Sequence, residues 1–381
     1  MSDLFANPLE EMIEFQDLKT DLQRGQGPLL VTGCLDSQKV HLLSELSDLT
    51  PWKLIVTYDD SRAREICEDY RCFDTDISLY PARDLLFYTS DIHGNLLTKQ
   101  RIQVMRRVLE SSGGVVVTTI DGLMEHLLPL AWMKERSLTI GAEDVVEVGK
   151  LTHALAEMGY EKVAQVEGSG QFSVRGGIVD IFPPSSSAPC RIELWGDTID
   201  SISRFDLDTQ RRTDPLDEIR ISPAGEVLFD SADELCGRIE ALSKKLRGKN
   251  AEGVRERLSA DVAKMRGGVN LNAVDKYFPL CYSEEATVFD YSNAVFVCEN
   301  VSAKENYRAV ALQHAEDLKI LTEEKKLCKG LDRYMLTKNE LYSELESRTS
   351  VYFDTFIRGG GMELGLMLDV QSAVQTSPWS G

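Results

Sequence analysis

The 381-residue sequence lacks a basic excess and long apolar runs. It holds 62 acidic residues against 42 basic ones, a formal net charge of −20. Since phosphate binding needs clustered Lys and Arg, this balance argues against a strong nonspecific nucleic-acid binder but leaves room for a local basic patch. There is no signal peptide and no apolar stretch near the roughly 18 residues that cross a bilayer, so we expect no membrane span.

Cysteine and histidine are not arranged as metal or redox motifs. The eight cysteines are scattered, with no pair at zinc-finger or redox spacing, which favours a reduced, cytoplasmic setting. The five histidines are too dispersed to form a metal cluster. We therefore expect neither a metal site nor a catalytic centre built on these residues.

The first third of the chain alternates short apolar runs with helical patterns, which predicts a parallel sheet covered on both faces. The predicted strands are Pro28–Thr32, Lys53–Thr57, Ile77–Tyr80 and Gly114–Thr118, and the predicted helices are Ser61–Tyr70 and Thr98–Ser111. From about residue 131 β-branched residues and turns dominate at Thr139–Val148 and Val163–Phe205, around a helix at Lys150–Met158. Helical patterns return at Ala232–Arg247 and Ala251–Met265, before a buried-strand pattern at Ala294–Cys298.

These patterns predict an α/β fold in which a small α+β domain is inserted into a parallel-sheet domain. The sheet domain takes residues 1–130 and 223–335, and the inserted domain takes residues 131–222. A helix at Thr337–Glu346, a strand at Ser350–Phe356 and the glycines Gly359–Gly361 follow. We interpret residues 336–381 as a linker or the start of a further, truncated domain, because no capping element closes them.

The segment after the first predicted strand has the outline of a phosphate-binding loop with key residues replaced. Gly33 and Lys39 stand where such a loop needs them. Gln38 replaces the second glycine, Val40 replaces the hydroxyl that binds magnesium, and Asp36 adds negative charge. Alone, this match would be coincidence more often than not. Its position after the first strand of an α/β fold favours a degenerate nucleotide motif.

A second nucleotide motif is altered in the same way. The strand Ala294–Cys298 places Cys298 where an aspartate would hold magnesium, and a neutral thiol is a poor ligand for that ion. Glu299 follows it. The alternative is a buried strand with a polar end. Two defective motifs in one chain favour a helicase-like (P-loop NTPase-type) fold with no ATPase activity and no bound cofactor.

The stretch Phe172–Arg212 contains the clearest candidate for a binding surface. It divides into three strands separated by turns, and the third strand alternates two sets of side chains. One set is Cys190, Ile192 and Leu194, and the opposite set is Arg191, Glu193 and Trp195. An exposed Trp beside Arg is typical of a protein-binding hot spot. A Trp half-covered by a neighbouring loop is the alternative.

The same stretch resembles the domain shared by the transcription-repair coupling factors (Mfd) and the excision-repair protein UvrB. The matching blocks are Val174–Pro184, Arg191–Ile202 and Phe205–Arg211, with weaker similarity from about Leu29 to Asn300. The chain is more similar to the amino-terminal module of coupling factors. UvrB has intact nucleotide motifs and a long aromatic hairpin that grips DNA, for which only Thr89–Leu97 would be left here.

That resemblance implies a non-catalytic module that recruits UvrA to stalled transcription sites in nucleotide excision repair. It also implies an intramolecular contact that helps autoinhibit a full-length ATP-dependent DNA translocase. RNA polymerase and DNA would be reached only through carboxy-terminal parts beyond Gly381. The rival interpretation is an active UvrB-like ATPase and DNA-damage-binding subunit.

Carried over position by position, the UvrA-binding residues are Arg175, Arg191 and Trp195, where the family usually has Phe at the last position. Arg175 bracing its turn is the structural alternative. We expect truncation of Arg191 or Trp195 to weaken binding with little loss of stability. Truncation of Ile192, on the core face, is expected to do the opposite.

Overall fold

The computed structural model describes residues 9–25, 28–46, 50–83, 92–229, 231–248, 251–267, 271, 273–355 and 366–369, the last four and 92–95 for the backbone alone. Two sequence arguments concern residues outside these ranges. The glycines Gly359–Gly361 lie outside them entirely, and of the segment Thr89–Leu97, which stands in place of the DNA-gripping hairpin, residues 89–91 lie outside while residues 92–97 begin a helix.

A parallel sheet forms the α/β part of the described chain. In spatial order its seven strands are β15 (Leu366–Asp369), β1 (Leu29–Thr32), β14 (Thr349–Asp354), β13 (Ala294–Cys298), β2 (Trp52–Thr57), β4 (Gly114–Thr119) and β3 (Ile77–Tyr80). Every pairing between these neighbours is parallel. The inner strands β1 and β13 are buried at every residue, because helices cover both faces of such a sheet. The predicted α/β fold class is confirmed.

Helices cover the two faces of this sheet as separate groups. One face packs on α1 (Ile13–Gln23), α2 (Asp36–Glu45) and α3 (Asp60–Tyr70). The other packs on α4 (Ile92–Glu110), α5 (Ile120–Met124), α11 (Asn300–Glu323) and α12 (Lys338–Glu346). The strands alternate accordingly, with Leu54 and Val56 in the second core and Ile55 in the first.

The strand order corrects one expectation about the end of the chain. Residues 336–381 were assigned to a linker or a further domain, yet β14 lies in the middle of the sheet between β1 and β13. Its burial pattern explains this, since Val351, Tyr352 and Phe353 are all fully buried. A strand that is apolar on both faces needs a place inside a covered sheet. Residues 349–354 therefore complete the parallel sheet.

A small α+β unit is inserted between β4 and β13. Its main sheet has the order β11 (Arg212–Leu216), β10 (Thr198–Phe205), β9 (Cys190–Trp195), β8 (Ile178–Ile181), β7 (Gln171–Arg175) and β6 (Glu161–Lys162). The pair β5 (Leu138–Gly141) and β12 (Glu218–Ile221) joins helix α7 (Val148–Glu157) in closing the core. Core side chains include Phe172, Ile192 and Ile202. The predicted inserted α+β unit is confirmed.

A further apolar cluster after the inserted unit is formed by α8 (Ala232–Lys245), α9 (Ala251–Arg266), α10 (Phe278–Cys281) and a 3₁₀ turn at Val274–Tyr277. Helix α6 (Leu130–Glu135) and a 3₁₀ turn at Val288–Tyr291 pack instead in the sheet core that contains α4 and α5. The predicted charged helical pair corresponds to α8 and α9, which pack against each other around Leu235, Ile239 and Leu258. None of the helices in the described ranges is long and apolar enough to cross a bilayer.

A buried ion-pair network lies where the chain leaves the inserted unit and returns to the sheet domain. Arg101 of α4 is fully buried and donates to both carboxylate oxygens of Glu226, at 2.6 and 3.0 Å. It also donates to Glu125 at 2.6 Å. Further along the helix, Gln103 and Arg106 donate to the Pro184 and Ser185 carbonyls of the inserted unit. Since a buried charge is tolerated only with close partners, this network fixes how the small sheet sits on α4.

Candidate functional site

Two glycine turns bring the predicted site residues to one end of the small sheet. The hairpin between β7 and β8 turns at Gly176, whose φ of 61° is a left-handed value that favours glycine. A Cβ on Gly177 would lie 2.6 Å from the Leu194 carbonyl oxygen, and the Leu194 amide donates to Gly177 at 2.7 Å. The tip that carries Arg175 is therefore in contact with the end of β9, next to Trp195.

The strand register places three rows of side chains on the sheet face opposite the core. The inner row is Ser173, Asp180, Arg191 and Ser203, the middle row is Arg175, Ile178, Glu193 and Ser201, and the end row is Trp195, Thr198 and Val145. We call this the outer face. Exposure rises along it from Asp180, which is fully buried, to Trp195, which is 86% exposed.

Asp180 is the centre of the inner row. Arg191 donates to both of its oxygens, from Nε at 2.7 Å and from Nη2 at 2.9 Å, and Arg175 donates from Nη2 at 2.7 Å. Arg191 also donates to the Gln210 carbonyl and stacks over the Phe205 ring. Hydrogen bonding to Asp180 raises the pKa of Arg191 further above its ordinary value. The arginines therefore neutralise a carboxylate that has no contact with solvent.

Trp195 and Val145 form the open end of the outer face. Trp195 ends β9, where a two-residue turn with Gly196 at a φ of 64° leads to Thr198. Thr198 also pairs with Val145, whose side chain is 76% exposed. The alternative prediction, that a neighbouring loop half-covers this Trp, is wrong, since Trp195 is 86% exposed. An apolar pair this exposed, next to a half-exposed Arg175, has the composition of a protein-binding surface.

The segment predicted to be a degenerate nucleotide motif lies at the carboxyl end of β1, where α/β proteins bind ligands. Gly33 turns the chain at a φ of 83°, and its amide donates to the Asp354 carbonyl at 3.1 Å. Gln38 accepts from the Leu35 amide at 2.9 Å through its side-chain oxygen. The backbone N–H groups of Gly33 and Leu35, of the kind that bind phosphates in such loops, thus already donate hydrogen bonds within the protein. Val40 points into the core and is 1% exposed.

Four charged side chains fill the rest of this cleft, and we call them the cleft cluster: Asp36, Lys39, Arg62 and Glu299. Lys39 is 1% exposed and donates to Asp36 and Glu299, at 3.1 Å each. Arg62 donates to Glu299 at 3.3 Å and lies 3.2 Å from Asp36. Burial lowers the pKa of the Lys39 ammonium, but the Glu299 and Asp36 charges outweigh it and hold the pKa above its ordinary value.

Cys298 lies at the end of β13 and has no polar role in this cleft. It is 1% exposed and packs in the core under α2 and α3. Burial raises the pKa of its thiol far above the ordinary value, so the thiol is neutral at pH 7. Glu299 follows in a left-handed conformation, with a φ of 53°, and accepts a hydrogen bond from Thr57 at 3.1 Å. Glu299, the residue here that could bind a metal cation, is thus already paired with the side chains of Lys39 and Arg62.

The structure brings Arg175, Arg191 and Trp195 onto one face, as period-two geometry predicts for the last two. Arg191 differs from the expectation of an outward side chain, because its guanidinium is 12% exposed and engaged with Asp180. Sequence reasoning missed Asp180 and Val145. Alternation on β8 could have placed Asp180 opposite the core face, but its burial depends on the neighbouring strands. Asp59 caps helix α3, since its side chain accepts from the Arg62 amide.

The inserted unit is similar to a known protein family. Residues 138–226 match the family described as the UvrB interaction domain. The match begins at the first residue of β5 and ends at Glu226, the carboxylate that anchors the unit to Arg101. Fold and match together define the class: a helicase-like α/β protein carrying a unit similar to the UvrB interaction domain.

Individual proteins similar to this chain are transcription-repair-coupling factors. The chain is 27% identical over 363 residues to the transcription-repair-coupling factor of Bacillus subtilis (strain 168), covering 92% of the chain and 31% of that relative. The corresponding protein of Staphylococcus epidermidis is 25% identical over 83% of the chain and 28% of its own length. That of Staphylococcus aureus (strain Mu50) is 30% identical over 58% of the chain and 19% of its own length. The predicted resemblance to coupling factors is confirmed, and the chain spans less than a third of these relatives.

Proposed function

We propose that this chain is the UvrA-recruiting module of a transcription-repair coupling factor and that UvrA binds the outer face of the small sheet. The observation that carries the proposal is the 86% exposure of Trp195 inside the segment that matches the UvrB interaction domain. Arg175, half exposed beside it, offers charge-assisted hydrogen bonds to an acidic or carbonyl-rich partner surface.

The apolar area of Trp195 that a bound partner would cover is large enough to support this assignment. A buried Trp removes on the order of 150–250 Å² from water, which at ~25 cal/mol per Å² is about 4–6 kcal/mol of gross hydrophobic gain. Side-chain ordering and the entropy of association reduce that gain. A net cost of about 2 kcal/mol on truncation remains, which is the size of an interface hot spot. Val145 adds apolar area in the same row.

We further propose that the module is non-catalytic. The cleft cluster supports this, because Lys39 and Arg62 pair with the protein's own carboxylates and not with phosphate. Binding of ATP would have to break these contacts and bring four more negative charges beside Asp36 and Glu299. The active UvrB-like ATPase is disfavoured for the same reason.

The wider role rests on the resemblance to coupling factors. We propose that residues 131–222 bind UvrA in nucleotide excision repair, while residues 1–130 together with the chain from residue 223 through β14 provide the helicase-like frame. In the full-length protein this module would contact the remaining parts and help autoinhibit the translocase. RNA polymerase and DNA would bind those other parts. A cytoplasmic location stays a prediction.

Titration calorimetry of the full 381-residue chain with UvrA tests the recruitment proposal. We expect a saturable isotherm with the parent and a weaker one with Trp195→Ala. Binding that is equally tight for both would contradict the assignment of the outer face. A titration with ATP and magnesium is expected to give no heat of binding, and a micromolar isotherm would contradict the non-catalytic proposal.

A further inference from the structure

We infer that Asp180 is a positioning residue of the partner-binding surface: it holds Arg175 in the orientation that the partner meets, and Arg191 serves this carboxylate and not the partner. The inference rests on the proposed function and names the working parts of that same site. The Asp180 side chain is fully buried and does not reach the surface, so it would act on the partner through Arg175.

The hydrogen bonds divide the two arginines by role. Arg191 donates from Nε, Nη1 and Nη2 to Asp180 and Gln210, and its guanidinium lies 4.8 Å from the centre of the Phe205 ring. Arg175 donates to Asp180 from Nη2 and keeps 48% of its side chain exposed. One arginine is therefore enclosed and satisfied, while the other presents an anchored guanidinium at the surface.

Asp180 is suited to this task by its position. It pairs with Ser173 of β7 on one side and with Arg191 of β9 on the other, so three adjacent strands hold it. An anchored guanidinium loses less rotamer freedom on binding than a free one, and that saving appears as affinity. Removing the carboxylate would leave Arg175 in place along the chain but free to rotate.

The test is a double-mutant cycle on the full chain, read as UvrA affinity by calorimetry below the melting temperature of each variant. The variants are Asp180→Asn, Arg175→Gln and the double variant. Asp214→Asn, an exposed carboxylate on β11 of the same sheet, is the matched control and is expected to bind like the parent. We expect Asp180→Asn and Arg175→Gln each to weaken binding roughly tenfold. The double variant should be no weaker than Arg175→Gln alone, because both changes remove one contact.

Two results of the cycle would overturn the inference. One is parent-like affinity for Asp180→Asn. The other is a double variant about a hundredfold weaker than the parent, since multiplied effects mean that Asp180 and Arg175 act independently. A merely structural Asp180 would lower the melting temperature without coupling to Arg175.

A second measurement needs neither a variant nor UvrA. Nitrogen-15 relaxation of the arginine guanidinium groups in the unmodified chain should show hindered rotation for Arg175 as well as for Arg191. A freely rotating Arg175 contradicts the inference even if Asp180→Asn fails to fold. If the parent does not bind UvrA, the proposed function fails, and hindered rotation of Arg175 would still support the anchoring by Asp180.

Discussion

The cleft cluster and the outer face each contain a carboxylate paired with two cationic side chains, but they differ in how far those cations are exposed. In the cleft, Lys39 and Arg62 are nearly buried and both donate to Glu299. On the outer face, Asp180 also receives two arginines, but one of them, Arg175, stays half exposed next to Trp195. The cleft is charge-neutralised inside the fold, whereas the outer face keeps a cation and an indole at its surface.

In the cleft, polar side chains at the ends of parallel strands are part of the framework of the fold. The carboxyl ends of parallel strands gather polar side chains wherever they occur. In this chain, with Gln38 and Val40 at the motif positions, those side chains pair among themselves and tie α2, α3 and the end of β13 together. We expect the binding capacity of the chain to lie on the inserted sheet, which hydrogen bonds from Gln103 and Arg106 of α4 hold in place.

Breaking the cleft cluster should have the largest effect on stability. Glu299→Gln leaves the nearly buried Lys39 and Arg62 with the exposed Asp36 as their remaining shared carboxylate. We therefore expect a loss near the lower end of the roughly 3–5 kcal/mol that breaking a buried pair costs. Urea unfolding measures this loss, with Glu316→Gln, an exposed position on α11, as the control. A loss below about 1 kcal/mol would mean that the cleft cluster is solvated like a surface pair.

The inner row of the outer face should show an intermediate effect on stability. Sequence alone suggested that Arg191→Ala leaves the fold unaffected, but the buried Asp180 would then keep only Arg175. We expect a loss of about 2 kcal/mol, between a surface pair and a broken buried pair. Ile192→Ala, a core truncation, should cost about 2–5 kcal/mol. Thermal melts of both variants decide whether Arg191 is structural.

The end row should affect binding without affecting the fold. Val145→Ser removes an exposed apolar side chain, so we expect unfolding free energy to change by less than about 0.5 kcal/mol. UvrA affinity should fall about fivefold, or about 1 kcal/mol, because the partner would cover Val145 together with Trp195. Unchanged affinity would confine the binding surface to the hairpin tips.

The smallest expected effect is a pH dependence carried by Asp36. Partial burial raises the pKa of its carboxyl, but the Lys39 hydrogen bond and the Lys39 and Arg62 charges outweigh it, so the pKa lies below the ordinary 3.8. Its stabilisation is present above pH 3.8 and is lost as pH falls through the lowered value. Because Asp36 is 57% exposed, solvent screening keeps the effect below about 1 kcal/mol. Urea unfolding of Asp36→Asn from pH 6 to pH 3 should show a correspondingly flatter profile.

Sequence predicts the elements of this fold better than its contacts. β13 has its predicted bounds because five apolar residues are followed by the polar Glu299-Asn300. The long helix α11 was not predicted, since only Asn300, Ala303 and Tyr307 are buried along it and no apolar stripe results. Trp195 and Arg175 were identified from alternation and resemblance. The sequence did not predict the hydrogen bonds from Arg191 to Asp180, because they depend on the register between β8 and β9.

The central claim is that the outer face binds UvrA while the cleft is closed. Calorimetric titration of UvrA into the parent chain, Trp195→Ala and Glu299→Gln, each below its melting temperature, tests it most directly. The account predicts that Trp195→Ala loses about 2 kcal/mol or more of binding free energy with an unchanged melting temperature. Glu299→Gln should bind like the parent despite its lower stability. Parent-like binding by Trp195→Ala, or loss of binding in Glu299→Gln, would contradict the account.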